Sequence, residues 1–181
     1  GDVVTILDED KLRADLNTLH SKGEVEALTI CLINAYINPA HERRVAEIAR
    51  EIFSDTPISV SSDVVPEMQE YERTETTVVN SYVRPEVSRY VSKLQGAWGE
   101  RLGSQSQLSI LRSDGGLASA RAAAKSPVNL LMSGPAGGVA GAIYFCERAG
   151  HRNILTFDMG GTSTDVALIQ DARARVRRET F

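Results

Sequence analysis

The sequence predicts an α/β protein: mixed sheets with flanking helices. Three observations carry this. Short apolar runs bounded by polar residues recur at Ala27–Ile33, Ile58–Val65 and Ile154–Phe157. Segments with apolar residues at helical spacing alternate with them. Glycine and proline punctuation separates the two kinds of segment. The composition is that of an ordinary globular chain, with 181 residues, 42% hydrophobic and 24% charged, enough for one domain or two small lobes.

Element by element, Asp8-Glu-Asp opens a helix with acidic residues where the helix dipole favours them. Leu12, Leu16 and Leu19 give that helix an apolar stripe, and Gly23 ends it. Ala27–Ile33 is too short for a helix and is expected as a buried parallel strand. Asn38 caps a second helix with Pro39 at its first position and Val45, Ile48, Ala49 and Ile52 on its buried face. Ile58–Val65 closes a βαβ unit.

The segment from Glu67 to about Leu102 has helical period, with Val83, Val87, Tyr90, Val91, Leu94 and Trp98 on one face. A kink or break is expected at Pro85. The β-branched run Thr76-Thr77-Val78-Val79 is poor helix material, so packing must hold it. This segment is expected either as a connector between lobes or as a long helix packed on a sheet. The division expected is therefore 1–66 as part of a first lobe, 67–103 as connector and 104–181 as the start of a second lobe. In that last part come a strand at Leu108–Arg112, a turn at Asp114-Gly115-Gly116, a short Ala-rich helix and an apolar segment at Val128–Met132. A helix to about Ala149, stopped by Gly150, and strands at Ile154–Phe157, Val166–Ile169 and Arg175–Arg178 follow. Gly1 in place of an initiator Met, and a last stretch that stops inside an expected strand, lead to the expectation that the chain is an internal part of a longer protein.

The charge of −4 argues against non-specific nucleic-acid binding, which needs a basic surface. No apolar run approaches the roughly 20 residues that span a bilayer. No signal peptide is evident, and a cytoplasmic location is expected. Cys31 and Cys146 are expected as two buried thiols rather than a disulfide. His20, His41 and His151 are scattered, with no zinc-ligand spacing. There is no Gly-x-Ser-x-Gly elbow and no Cys with an evident His partner. Glu67, Glu70, Glu72 and Glu75 are expected as a solvated helix face.

The chemistry concentrates in Ile154-Leu-Thr-Phe-Asp-Met-Gly-Gly-Thr-Ser-Thr-Asp165. An apolar strand delivers Asp158 to its end. Gly160 and Gly161 turn the chain, permitting positive φ and leaving no Cβ to block a ligand. Backbone amides of such a turn, with the hydroxyls of Thr162, Ser163 and Thr164, can surround a phosphate. Asp158 and Asp165 are candidates to hold Mg²⁺, which takes one or two carboxylates together with phosphate oxygens. A carboxylate beside a phosphate otherwise repels it, so a cation is physically implied. The alternative is a plain Gly-Gly hairpin with two surface aspartates. A second string, Ser133-Gly134-Pro135-Ala136-Gly137-Gly138-Val139-Ala140-Gly141, reads as a helix start, with Ser133 as cap. Its glycines Gly137, Gly138 and Gly141 imply close approach, either by a neighbouring element or by a ligand at the helix N-terminus, and Gly134, Gly137 and Gly138 are the candidates to contact such a ligand. It is neither a Walker loop nor a Rossmann fingerprint.

These strings resemble a known family. The Asp158 string is similar to the second phosphate motif of the actin-like (ribonuclease H-like) ATPase superfamily. Its wording resembles the hydantoinase A/5-oxoprolinase/acetone carboxylase subunit family. Asn38-Pro-Ala-His-Glu-Arg-Arg44, Glu70-Tyr-Glu-Arg-Thr74, Thr76-Thr-Val-Val-Asn-Ser-Tyr82, Ser113-Asp-Gly-Gly116 and Ser133-Gly-Pro-Ala-Gly-Gly-Val139 match it as well. The resemblance implies a part of an actin-like fold and ATP-dependent, Mg²⁺-assisted activation of the carbonyl of 5-oxoproline, a hydantoin or a ketone for hydrolysis or carboxylation. It implies that Asp158 and Asp165 serve the metal while Gly160, Gly161 and Thr162 contact phosphate. A hydantoinase B-type subunit or domain is the implied partner, and homo-oligomer formation stays open. The family's N-terminal Asp-Thr-Gly-Gly-Thr-type phosphate clamp is not in these residues, so the chain is not expected to turn over ATP alone. A small-molecule kinase and a nucleotide-gated, non-enzymatic module of the same superfamily remain rival readings.

Overall fold

The computed structural model describes residues 2–103 and 107–174. The expected Arg175–Arg178 strand lies outside the described residues. Contacts gather the chain into two units, Gly1–Ala97 with Ala124–Val128, and Trp98–Ala123 with Asn129–Phe181.

The first unit is a βαβ motif with a helix on either side in sequence. Helix α1 (Glu9–Ser21) starts at Asp8, whose carboxylate accepts the Lys11 amide at 3.0 Å. Strands β1 (Leu28–Ile30) and β2 (Ile58–Val60) pair in parallel, Leu28 opposite Ile58 and Ile30 opposite Val60. Helix α2 (Ala40–Ile52) makes the crossover, and α3 (Ser61–Val64) follows β2 directly. Leu16, Ile30, Val45, Ala46, Ile48, Ala49, Phe53, Ile58 and Val60 form the core. Pro39 occupies the cap position of α2 rather than its first turn, and the Asn38 side-chain Oδ1 accepts the Ala40 amide at 3.0 Å.

Both strands are shorter than expected, for one reason. The fully buried Glu42 carboxylate accepts the Leu32 amide at 2.8 Å, the Ser61 hydroxyl at 2.6 Å and the Ser62 amide at 2.9 Å. Arg73 donates to the Leu32 carbonyl at 2.9 Å and to Ser61 Oγ at 3.1 Å. Side chains thus take the backbone groups that a longer ladder would pair. Beyond Leu32 the chain turns at Asn34, with φ of 60°, and the Asn34 amide donates to Glu70 at 2.9 Å.

Helix α4 (Glu70–Leu102) is continuous through Pro85, so the expected break is absent. Its buried stripe is also not the expected one. Tyr90 and Trp98 are exposed, and of that apolar face only Val91 is fully buried. The other buried positions are Arg73, Thr77, Asn80 and Ser81, at helical spacing but polar. Ser81 Oγ accepts from the β1 residue Thr29 at 2.6 Å, and the Asn80 amide donates to Ser59 of β2 at 3.0 Å. Thr77 returns its hydroxyl to the Arg73 carbonyl at 2.6 Å. This packing is what holds the β-branched run helical.

Glu70 is not part of a solvated acidic face. It receives the Asn34 amide and is ion-paired to Arg73. The Asn34 amide, against some desolvation and with help from Arg73, holds the Glu70 carboxyl below its usual range. Burial opposes the Arg73 charge, but Glu70 and then Cys31 outweigh it and hold the guanidinium above its usual value. The depressed Glu70 pKa means that its contribution to stability is present above the unfolded-state value and is lost as pH falls through the carboxylate range. Glu70→Gln is therefore expected to lower the urea midpoint at pH 7 and to narrow the gap from wild type at pH 3.5. A gap of constant size across that range would show that Glu70 does not titrate in this way.

In the second unit, β3 (Ser109–Leu111) and β4 (Leu117–Ser119) form an antiparallel hairpin. Its turn is closed by Gly115 at φ of 80° and by the Asp114 carboxylate, which accepts the Gly116 amide at 2.9 Å. Helix α5 (Ala120–Lys125) and a 3₁₀ turn (Pro127–Leu130) lead to α6 (Ser133–Arg148). Strands β5 (Ile154–Met159), β6 (Thr164–Gln170) and β7 (Arg173–Ala174) make a three-stranded antiparallel sheet. Cys31 and Cys146 are free and half-buried rather than buried.

Candidate functional site

The β5–β6 register decides the geometry of the site. Asp158 and Asp165 stand directly opposite each other, one pair in from the turn, where Met159 faces Thr164. The Gly160 amide donates to the Ser163 carbonyl at 2.9 Å and closes the turn. Side chains of directly opposed residues share a face, with Cβ atoms about 4.5–5.5 Å apart. The two carboxylates therefore project together, and no cation pairs with either among the described residues.

That face of the hairpin meets α6, and the space between them is an open cleft of about 640 Å³. Asp158, Asp165 and Thr156 line it from the sheet; Pro135, Ala136 and Gly138 line it from the first turns of α6. The Asp158 carboxylate lies against Gly138: a Cβ there would sit 3.7 Å from Asp158 Oδ2. Gly137 has a different cause, since its Cβ would come within 2.7 Å of Leu111 on β3. The open choice between packing and ligand therefore resolves toward packing at Gly137. Gly134 has nothing nearby.

Two local expectations are corrected. Ser133 is the first helical residue, not the cap; Met132 holds that position and offers no side-chain acceptor. Neither Gly160 nor Gly161 has positive φ, so what they contribute is the missing side chain; nothing lies within 4 Å of a Cβ placed at Gly161. Gly160, Gly161, Thr162, Ser163 and Thr164 are exposed on the turn and do not line the cleft, and neither do Gly134 and Gly137. The structure thus brings together Asp158, Asp165 and Gly138, and leaves the other candidates outside the cleft.

Two lining residues escaped the sequence reading. Ser113 ties the β3–β4 turn to the approach to α6: its hydroxyl donates to the Asn129 carbonyl at 2.8 Å and accepts the Met132 amide at 3.1 Å. Thr156 exchanges hydrogen bonds with the Ala167 backbone at 3.2 and 3.3 Å. The period-2 alternation of a strand, which puts Thr156 on the face of Asp158, could have found it.

The donor set suits a hard cation bound jointly with an anion. Two carboxylates are too few to enclose a metal alone, and no cluster of three or more potential protein ligands occurs among the described residues. Mg²⁺ is satisfied by one or two carboxylates with the rest of its sphere from phosphate and water. Pro135 has no N–H and the Ala136 amide is bonded to the Met132 carbonyl, so the turn of α6 that lines the cleft adds no free amide, and the hold on the anion runs through the cation.

Hydantoinase/oxoprolinase sequences match residues 73–181, and the N-terminal region of the same family matches residues 1–53. The chain belongs to the hydantoinase/oxoprolinase family. Among its relatives is caprolactamase subunit alpha of Pseudomonas jessenii, 32% identical over 99% of this chain and 26% of that protein. The crystal structure of that ATP-dependent caprolactamase superposes with a TM-score of 0.77 at 33% identity, covering 93% of this chain and 24% of the other. Nucleotide-free acetone carboxylase, from a study of ATP-dependent acetone carboxylation, superposes with a TM-score of 0.80 at 36% identity over 93% of this chain and 24% of its own. The 5-oxoprolinase of Saccharomyces cerevisiae is 34% identical over 96% of this chain and 13% of its own. The chain thus spans about a quarter of the length of the first curated relatives it matches. The mixed α/β class expected of a hydantoinase/oxoprolinase chain is the class observed. Among the described residues no helix is long and apolar enough to cross a membrane.

Proposed function

We propose that this hydantoinase/oxoprolinase chain supplies the metal-and-phosphate side of an ATP site in a longer enzyme that activates the carbonyl of a cyclic amide or a ketone by phosphorylation. The observation that carries the reading is the pairing of Asp158 with Asp165 on one cleft beside the first turn of α6. Two carboxylates on one face suit a cation that completes its sphere with an anion, which is what a metal–nucleotide pair presents. The ATP-dependence of acetone carboxylation and of caprolactamase supports it.

In this reading Asp158 and Asp165 hold Mg²⁺, directly or through water. The amides of the Gly160–Thr162 turn and the hydroxyls of Thr162, Ser163 and Thr164 hold phosphate oxygens that reach past the cleft. Gly138 keeps α6 bare so that the Asp158 carboxylate can lie close. Bound there, Mg²⁺ would neutralise charge on the phosphate oxygens. The substrate carbonyl oxygen takes the γ-phosphoryl group as its bond to the β-phosphate oxygen breaks and ADP leaves. In a cyclic amide, water adds to the carbonyl carbon, the ring C–N bond breaks with a proton passing to the nitrogen, and a second water releases the phosphoryl group as inorganic phosphate. In a ketone, loss of an α-proton gives an enol phosphate, whose α-carbon forms the bond to carbon dioxide as water takes the phosphoryl group as inorganic phosphate. The finer assignment is hydrolysis of a cyclic amide of the 5-oxoproline or hydantoin type. The site belongs to the second of two lobes, 104–181, joined to the first, 1–66, by the 67–103 connector. The relatives that are named subunits support a partner polypeptide; that it is of the hydantoinase B type and that the complex is cytoplasmic are further parts of the proposal.

The complete protein with its partner, presented with 5-oxoproline, hydantoins, lactams and small ketones, is expected to consume ATP only with one of these and only with Mg²⁺. ATP hydrolysis of equal rate with and without every substrate would overturn the enzymatic reading in favour of a nucleotide-gated module. A stable phosphorylated product, with no ring opening or carboxylation, would point instead to a kinase.

A further inference from the structure

A second cavity, of about 260 Å³, is built entirely from the first unit. Arg50 from the end of α2, Arg84 from α4 and Lys125 from the end of α5 converge on it, with Asp63 as the one carboxylate on its wall. Asp63 is engaged by Lys125 at 3.0 Å. That leaves two guanidinium groups without an acidic partner among the described residues. Arg84 donates to the Ile58 carbonyl, and the Arg50 side chain makes no hydrogen bond among the described residues. Burial, and then the neighbouring Arg50, hold the Arg84 guanidinium below its usual value. Ser59, 2% exposed, accepts from Asn80 at 3.0 Å, and its own hydroxyl proton has no acceptor among the described residues.

Arg50 is exposed, but Arg84 is half-buried, and a cationic side chain that leaves water is ordinarily paired. Two guanidiniums raise each other's cost further, and their planar forks match the oxygens of a phosphate or carboxylate. The cavity holds roughly nine waters' worth of liquid volume, room for a small molecule bearing such a group. We propose that this cavity is an oxyanion site. Arg50 and Arg84 clamp a phosphate or carboxylate group, Lys125 lies at its edge, and Ser59 and Ser126 supply hydroxyl donors. It rests on different residues from the paired aspartates, and neither reading depends on the other.

Calorimetric titration of the 181-residue chain in buffer freed of metal ions on a chelating resin tests it, with inorganic phosphate in one arm and acetate in the other. Without a cation Asp158 and Asp165 repel phosphate, so they do not bind it in this buffer. Saturable binding is expected in at least one arm, weakening as NaCl rises, and the arm in which it occurs identifies the source of the oxyanion. Arg50→Ala, at an exposed position that leaves the core intact, is expected to weaken it about tenfold. Asp63→Asn, which releases Lys125, is expected to tighten it severalfold. Arg84→Lys keeps the charge and loses the fork, and is expected to fall between wild type and Arg50→Ala. Absence of saturable binding in both arms, or binding in folded Arg50→Ala equal to that of wild type, would overturn the proposal.

Discussion

Asp158→Asn in the complete enzyme is expected to reduce ATP-dependent turnover by at least about a hundredfold. A metal held between two carboxylates and a phosphate contributes several kcal/mol of charge stabilisation, and each 1.36 kcal/mol is tenfold in rate. The same substitution is expected to act in the opposite direction on stability. Asp158 and Asp165 oppose each other directly, and like charges so placed destabilise a ladder by about 0.2–1 kcal/mol. In the 181-residue chain, with EDTA present, Asp158→Asn should therefore raise the thermal midpoint. The two results together separate a functional pair from an incidental one. Surface aspartates of a plain hairpin would show the stability gain with turnover unchanged, and that outcome would remove the metal assignment.

Glu42→Ala is expected to destabilise the chain by about 3–5 kcal/mol, measured as a fall in the urea midpoint at pH 7. The loss orphans three donors that the buried carboxylate now satisfies, the amides of Leu32 and Ser62 and the hydroxyl of Ser61. It also leaves Arg73 buried beside a Ser61 hydroxyl with no acceptor of its own. For a domain whose whole stability is about 5–15 kcal/mol, a change of that size is a large fraction. Glu42→Gln should cost less, because it keeps the volume and one good acceptor. A Glu42→Ala midpoint within error of wild type would mean that water replaces the carboxylate at this site.

Much of the local structure was legible. Asp8 and Gly23 mark the ends of α1, and the Val45, Ile48, Ala49 face of α2 is the face that packs into the core. The strand–Gly-Gly–strand reading of β5 and β6 placed Asp158 and Asp165 near a turn. What escaped was polar and long-range. An apolar stripe was expected on α4, yet its first half buries Arg73, Thr77, Asn80 and Ser81. Arg73, Asn80 and Ser81 are buried because they meet backbone and hydroxyl groups far away in sequence, which no periodicity encodes. The lengths of β1 and β2 failed for the same cause, since Glu42 and Arg73 intercept the bonds that would extend them. The unopposed guanidiniums of Arg50 and Arg84 come from two helices 34 positions apart in numbering, and nothing in either neighbourhood signals the other.

The sequence by itself determined the main helices and strands in order, the family strings and the identity of the two aspartates, because caps, glycine stops and apolar spacing act over a few residues; the short α3, β4 and β7 and the continuity of α4 through Pro85 were not among its readings. The tertiary structure alone decided that those aspartates face each other across one cleft while the turn between them stays outside it. Strand register and helix packing set that outcome, and both depend on contacts between segments that the chain holds apart.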